Sequence, residues 1–214
     1  MEVTSIIWGI PFCIIYQAFS RFLFYSKVLN MKNFNQLIIL TGPSGVGKGT
    51  IIEKIIKKDK RFWVSISATT RKPREGEVEG ENYYFLSNSQ FEEMIKNDLL
   101  IEWAKFADNY YGTLLKPVIE KINKGFKVIL EIEVEGAEQI RKKFPDALSI
   151  FIMPPSMNEL EKRIRNRGTE NEESIIKRLE RASFEIDSAK KFDHVITNLD
   201  VNETVKTILE VISL

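Results

Sequence analysis

The chain has 214 residues, and its 43% hydrophobic and 29% charged side chains exclude a wholly disordered or fibrous protein. The charges of its 31 basic and 30 acidic side chains nearly cancel, so the chain lacks the net positive charge that attracts nucleic acid, and no nucleic-acid partner is expected. The single cysteine, Cys13, excludes a disulfide framework and a cysteine zinc site, and the single histidine, His194, excludes a multi-histidine metal centre.

Residues 1–30 form an apolar extension ahead of the periodic part of the chain. The stretch from Val3 to Ser20 carries no charge, but it contains Pro11 and is marginal for a membrane span, which needs about 20 apolar residues. Three interpretations stay open: a dispensable segment or over-extended start before Met31, a membrane-associated anchor, and a targeting peptide. Membrane contact is expected only through these residues, and residues 31–214 are expected to form one domain.

From Met31 onward, short apolar runs alternate with amphipathic stretches. The runs predicted as buried strands are Gln36–Thr41, Phe126–Glu133, Leu148–Met153 and His194–Thr197. Thr50–Lys58 carries four isoleucines on one predicted helix face, and Val201–Ser213 predicts a closing amphipathic helix. This alternation predicts an α/β fold around a parallel sheet. Two segments, roughly 65–115 and roughly 158–187, interrupt it and are expected to be substrate-binding and lid segments.

A glycine-rich segment between the first strand and the first helix predicts a phosphate site. Gly42, Gly47 and Lys48 have the spacing of a Walker A loop, in which backbone N–H groups, a helix N-terminus and the lysine bind phosphate. The alternative is a βα turn without a ligand. Gly49 stands where Ser or Thr usually contacts magnesium, so ligation by Thr50 and a metal held by phosphates and water both stay open. The predicted P-loop comprises Gly42, Pro43, Ser44, Gly45, Val46, Gly47, Lys48, Gly49 and Thr50.

Two arginines follow the next strand on a rigid turn. Arg71 and Arg74 flank Pro73, and two guanidinium groups aimed at one point suit a phosphate monoester. The alternative is a solvated turn in which these arginines pair with Glu75, Glu77 or Glu79. The sequence alone leaves both interpretations open.

Acidic and basic side chains cluster at two further places. Glu131 and Glu133 occupy alternate positions at the end of a predicted strand and are expected to project together at the ligand edge of the sheet. Arg163 and Arg167 are four residues apart and share one helix face, where they could stabilise charge during phosphoryl transfer. Local ion pairs are the alternative at both places, with Arg141 or Lys142 for the acids and nearby glutamates for the arginines.

The chain resembles the guanylate kinases, which are P-loop nucleoside monophosphate kinases. The similar segments are Thr69–Glu77, Gly80–Tyr83, Ile101–Trp103 and Asn109–Gly112, and the resemblance runs from about residue 36 to the end of the chain. It implies the three-layer P-loop NTPase fold with an inserted GMP-binding segment and a helical lid. The family usually shows Asp-x-Asp followed by Gln-Gly, whereas this chain has Glu131, Glu133 and Glu135.

The resemblance also implies roles for individual residues. Arg71, Arg74, Tyr83 and Tyr111 would bind the phosphate of GMP. Ser67, Glu102 and Thr113 would face the guanine, and Glu133 would lie beside them. Lys48, Arg163, Arg167 and Arg178 would be catalytic, and Asn198 would lie near the adenine of ATP.

Glu102 supplies a chemical reason for guanine selection. One carboxylate can accept hydrogen bonds from both the ring N–H and the exocyclic amine of guanine, whereas adenine presents an acceptor at the ring position. The alternative for Glu102 is a surface carboxylate at a helix end. The implied activity is transfer of phosphate from ATP, with Mg²⁺, to GMP and dGMP, in the cytoplasm. The competing hypotheses are a catalytically silent guanylate-kinase-like interaction module and a related P-loop kinase with another acceptor.

Overall fold

A computed structural model describes residues 34–106, 108–166 and 172–213. The predictions for residues 1–30 and for Arg167 lie outside these ranges. Within them, no helix combines the length and the apolar character that crossing a membrane requires.

Strands and helices alternate along most of the described chain. The strands are β1 Leu37–Thr41, β2 Phe62–Val64, β3 Ser67–Thr69, β4 Tyr83–Phe85, β5 Leu100–Phe106, β6 Asn109–Leu114, β7 Lys127–Glu131, β8 Leu148–Met153 and β9 His194–Thr197. The α-helices are α1 Lys48–Lys58, α2 Asn88–Lys96, α3 Leu115–Asn123, α4 Val134–Lys143, α5 Met157–Arg165, α6 Glu172–Asp187 and α7 Val201–Ser213, and a short 3₁₀ turn covers Ala189–Lys191.

The first sheet is parallel throughout, with the order β2-β7-β1-β8-β9. All five residues of β1 are buried. Ile38 and Leu40 belong to an apolar cluster with Ile51 of α1 and Val205 of α7, while the opposite face of β1 is buried as well. A strand buried on both faces reads as one continuous apolar run. The predicted α/β fold with a central parallel sheet is therefore confirmed.

The helix after the P-loop begins at Lys48, as predicted, and Gly47 is its N-cap. The end of the second predicted strand differs by two residues. Strand β7 ends at Glu131, and Glu133 instead precedes α4 as its N-cap. The strand β2 was not predicted, since a three-residue run is too short for its periodicity to be read.

The segment 65–115 contains a second sheet, with the order β4-β3-β6-β5. Strands β5 and β6 are antiparallel to their neighbours, whereas β3 and β4 run parallel. The register between β5 and β6 shifts between Leu100 and Glu102. Leu100, Ile101 and Glu102 are all buried, and because successive strand residues point to opposite faces, both faces of the strand are covered at this point.

Candidate active site

The P-loop has the backbone that its glycines predict. Gly47 has φ 101°, in the left-handed region, and a Cβ at Gly42 would collide with the backbone carbonyl of Ile152. The ammonium of Lys48 donates to the Gly42 carbonyl at 2.5 Å and lies partly buried across the loop. Ser44, Gly45, Gly47, Lys48, Gly49 and Thr50 line a cavity of about 460 Å³, whereas Gly42, Pro43 and Val46 are buried behind it.

The buried side chain of Asn198 supports the P-loop from the protein interior. Its side chain, only 2% exposed, donates from Nδ2 to the Val46 carbonyl at 2.8 Å and accepts from Thr204 Oγ1 at 3.0 Å. Arg163 donates to the same Val46 carbonyl at 3.4 Å and to the Asn198 carbonyl at 3.3 Å. Both the nitrogen and the oxygen of the Asn198 side-chain amide therefore form hydrogen bonds to other groups of the protein.

Three strands of the second sheet, β3, β6 and β5, bring the residues predicted to face guanine into one row, and β4 adds Tyr83, which was predicted to bind the phosphate. Ser67 lies opposite Tyr83 on one side and opposite Thr113 on the other, and Thr113 lies opposite Glu102. Directly opposed residues in a sheet share a face. Ser67, Tyr83 and Glu102 line a second cavity of about 260 Å³. Thr113 is fully buried behind Glu102.

Glu102 is a strand residue in the cavity wall, not a surface residue at a helix end. It is 4% exposed, and its Oε1 accepts from Thr113 Oγ1 at 2.7 Å. Burial raises the pKa of Glu102 to about 7, with opposing contributions from Thr113 and Lys143. Gly136 of α4 lies so close that a Cβ there would collide with Oε2 of Glu102. A donor pair entering the cavity would therefore meet a carboxyl fixed on two sides.

Arg71 and Arg74 both line the second cavity, and Glu77 holds their turn in place. The Arg71 guanidinium donates to both Glu77 oxygens, at 2.9 and 2.8 Å, and lies 5.4 Å from the Tyr83 ring centre. Glu77 also accepts from the Arg74 backbone N–H at 2.7 Å. Arg71 therefore forms the ion pair with Glu77 and lines the cavity at the same time. Tyr111 lines the same wall, with its ring edge-on to Tyr83 at 6.4 Å.

The two cavities share part of their lining and form one cleft. Glu131, Glu133 and Arg178 are exposed to both cavities. Because the protein around it removes solvent, the pKa of Glu131 is raised, against the opposing effect of Lys48. Arg178 comes from α6, so this helix contributes a cation to the middle of the cleft.

Other predicted side chains occupy different surroundings. Arg163 pairs with Glu159 at 3.2 Å and contacts the back of the P-loop, and it does not line either of the two cavities. Glu135 pairs with Arg181 rather than with Arg141. Thr50 presents an exposed hydroxyl in the P-loop cavity. In the described ranges, no group of three or more His, Cys, Asp or Glu side chains could hold a metal ion.

Sequence reasoning missed Gly136 as a contributor to this site, because only the folded chain places it against Glu102. Glu77 was predicted only as one of three alternative partners of Arg71 and Arg74, and the structure shows that it contacts both while both arginines line the cavity.

Comparisons with known proteins agree with this geometry. The family model described as guanylate kinase matches residues 34–214. The guanylate kinase of Prochlorococcus marinus strain MIT 9312 is 65% identical over 182 residues, covering 85% of this chain and 99% of that protein. The guanylate kinase of Caldanaerobacter subterraneus subsp. tengcongensis is 47% identical, covering 86% and 89%. The crystal structure of guanylate kinase from Anaplasma phagocytophilum superimposes with a TM-score of 0.68 at 32% identity, covering 83% of this chain and 84% of that one.

Proposed function

The chain belongs to the guanylate kinase family and is an enzyme that phosphorylates GMP to GDP with ATP, and we propose that the two nucleotides meet end to end in the cleft described above. The observation that carries this arrangement is the shared wall of the two cavities. A phosphate-binding loop stands at one end, a buried carboxyl at the other, and Arg178 lies between them. Segments 65–115 and 158–187 are the proposed GMP-binding and lid parts of the domain.

The P-loop end is proposed to hold the phosphates of ATP. Loop N–H groups and the N-terminus of α1 present partial positive charge, and Lys48 can exchange its bond to the Gly42 carbonyl for phosphate oxygens. Asn198 supports the same loop from the protein interior, and its proposed role is at the ATP end of the cleft. Bound Mg²⁺ would neutralise phosphate charge there. The Thr50 hydroxyl fits such an ion, because magnesium prefers oxygen ligands and keeps several waters alongside substrate phosphates.

The other end is proposed to hold GMP. Arg71, Arg74, Tyr83 and Tyr111 converge on one side of the cavity, where a phosphate monoester would satisfy its oxygens. The Glu102 carboxylate would accept hydrogen bonds from the two guanine donors, while Thr113 holds the carboxylate in place by its hydrogen bond to Oε1. Ser67 and Glu133 would complete the cavity wall around the base. Because the proposed contacts are made to base and phosphate, dGMP is expected to be a substrate as well.

Phosphoryl transfer between these sites needs alignment and charge neutralisation more than covalent chemistry. Arg178 is proposed to stabilise the transferring phosphoryl group, together with Arg163 and Arg167 once the lid segment approaches. Closure must also exclude water, which would otherwise hydrolyse ATP. The cytoplasmic location expected from the sequence stays a prediction.

Measuring turnover with GMP, dGMP, AMP and UMP, in wild type and Glu102→Gln, tests the site assignment. The amide of Gln cannot accept both guanine donors, so kcat/KM for GMP should fall about 100-fold, which is typical when a charged hydrogen-bonding partner is lost. Glu92→Gln, an exposed change on α2, is the matched control and should behave as wild type. Equal loss with every nucleotide, or AMP turnover comparable to GMP in wild type, would contradict the role given to Glu102.

A further inference from the structure

Strand β5, which carries Glu102, lies at the end of the strand order of the second sheet and pairs with β6 on one side. The backbone N–H and C=O groups of an edge strand that point away from its neighbour need other partners. In an antiparallel pair these outward groups belong to every second residue. In β5 they include groups of Ile101 and Trp103, on either side of Glu102, and their partners lie on helix α4.

The side-chain amide of Gln139 pairs with Trp103 as the backbone of a neighbouring strand would. Its Oε1 accepts from the Trp103 N–H at 3.2 Å, and its Nε2 donates to the Trp103 carbonyl at 2.6 Å. A glutamine amide combines a carbonyl acceptor with an N–H donor, as a peptide group does. One half-buried side chain therefore satisfies both outward backbone groups of the residue that follows Glu102.

Gln139 belongs to a face of α4 that lies along β5. Gly136, Gln139 and Lys143 are spaced by three and four residues, so they share one side of the helix. Lys143 Nζ donates to the Ile101 carbonyl at 3.0 Å, and Gly136 lies against the Glu102 carboxyl. The three successive residues of β5 that are centred on Glu102 thus each contact this helix face.

Recognition of guanine depends on where this stretch of β5 lies. Glu102 must meet two donors of one base at once, and hydrogen bonds weaken steeply as their angles depart from the preferred geometry. Strand β6 holds β5 from one side, and the bonds to α4 hold it from the other. A carboxylate on a fixed backbone loses less freedom when the base binds, and this benefit is largest for a base that needs both hydrogen bonds together.

We propose that Gln139 is a positioning residue for guanine, and that its two hydrogen bonds to the Trp103 backbone hold Glu102 where the carboxylate accepts both guanine donors. This inference rests on the proposed role of Glu102 in the GMP site. Lys143 supports it by holding the backbone on the other side of Glu102. Gln139 itself does not line either of the two cavities, so it acts on the base only through β5.

The test compares the binding of GMP and IMP by calorimetric titration. Hypoxanthine, the base of IMP, keeps the ring N–H of guanine but lacks the exocyclic amine, so the ratio of the two Kd values measures acceptance of the second donor. Gln139→Met keeps a similar side-chain length and removes both hydrogen bonds to Trp103. We expect it to lower the preference for GMP over IMP about fivefold, because Glu102 loses its fixed position, and to leave the Kd for ATP within about twofold.

The titrations are run at pH 8, where Glu102, whose pKa burial raises to about 7, is mostly ionised. Gln139→Glu is the second loss variant in case Gln139→Met does not fold. It keeps the acceptor for the Trp103 N–H but sets a carboxylate oxygen against the Trp103 carbonyl, so it should also lower the preference for GMP. Glu138→Met, one position earlier and paired at the surface with Lys191, is the matched control and should leave all three Kd values unchanged.

Thermal unfolding checks that each variant folds. A general loss of structure would weaken GMP and IMP binding by the same factor and would leave their ratio unchanged. Equal weakening of GMP and IMP binding in Gln139→Met, or an unchanged ratio in both Gln139 variants, would therefore overturn the inference.

A double-mutant cycle with Glu102→Gln separates this inference from the function it rests on. We expect Glu102→Gln to lower the preference for GMP over IMP, and Gln139→Met to change it little further in that background. A full additional loss would mean that Gln139 acts by another route, and the inference would fail. If Glu102→Gln lowers the preference while both Gln139 variants do not, the inference fails and the proposed site stands. If Glu102→Gln leaves the preference unchanged, the proposed role of Glu102 fails and the inference fails with it.

Discussion

At the scale of single residues, the shape of the site around Glu102 comes from an irregularity in β5. The register of β5 against β6 shifts between Leu100 and Glu102, and Glu102 is paired with Thr113 directly after the shift. Bulges are frequent next to active sites, where they re-aim side chains. Thr113 then holds one carboxyl oxygen, and the backbone of Gly136 allows the other to lie against α4. The absent side chain at Gly136 is therefore as specific a requirement as the carboxylate itself.

Gly136→Ala should impair GMP binding without affecting ATP binding. The added Cβ would collide with Glu102 Oε2 and would force the carboxyl out of its position opposite Thr113. We expect KM for GMP to rise at least about tenfold, since overpacking a tight site typically costs 1–3 kcal/mol. Steady-state kinetics with each nucleotide varied in turn provides the measurement. Glu138→Ala, on the same helix but paired at the surface with Lys191, is the control for an alanine substitution on α4 away from the cleft and should leave KM for GMP unchanged. An unchanged KM in Gly136→Ala would refute the argument.

At the scale of elements, the P-loop depends on contacts that are remote in sequence. Asn198, just after β9, and Arg163, on α5, both donate to the carbonyl of Val46. Thr204 of α7 in turn fixes the Asn198 amide. The loop that joins β1 to α1 is thus held by α5, by α7 and by the residue that follows β9. This arrangement explains how a glycine-rich segment with few side chains of its own can keep a defined shape.

Asn198→Ala should weaken binding of ATP and of inorganic triphosphate to a similar extent. The variant leaves the buried Val46 carbonyl without its 2.8 Å donor, which typically costs about 1–3 kcal/mol. Triphosphate has no adenine, so it separates support of the loop from a contact with the base. Calorimetric titration with both ligands provides the measurement, and Asn202→Ala, which removes an exposed bond to Lys54, is the control. Loss confined to ATP would instead favour a direct contact between Asn198 and adenine.

At the scale of the whole molecule, the fold shifts the pKa values of its acidic side chains in both directions. Burial raises the pKa of Glu102 and of Glu185 to about 7, and the pKa of Glu131 is also raised. Surface acids show the opposite behaviour, because hydrogen bonds from Arg61 lower the pKa of Asp59 to about 2 and Lys191 lowers that of Glu138. The buried acids and the surface acids therefore change the free energy of unfolding in opposite directions and in different ranges of pH.

The free energy of unfolding should therefore fall as the pH rises from about 5 to about 8. In that window the folded chain binds more protons than the unfolded chain, because the pKa values of the buried glutamates lie above the ordinary value of 4.5. Below about pH 5, the free energy of unfolding should decrease as the pH is lowered, because the surface acids become protonated and lose their ion pairs. Urea unfolding across this range provides the measurement. Glu102→Gln should reduce the slope between pH 5 and 8, and stability that rises through the window would contradict the burial argument.

The sequence by itself determined the elements whose signals are local. β1 and β8 are continuous apolar runs in the sequence because both faces of the sheet are covered. The P-loop is recognisable from its glycines, because only particular backbone angles allow its N–H groups to converge. The resemblance to guanylate kinases likewise rests on short contiguous motifs. These features could be predicted because neighbouring residues carry all the information that they need.

The tertiary structure alone decided which of the charged side chains act together. No spacing along the chain places Gly136 against Glu102, joins Arg181 to Glu135, or sets Asn198 beneath Val46, since each pair is more than 30 residues apart. The physical reason is that a buried carboxyl or carbonyl must find a partner or change its charge, and the fold determines which partner is within reach.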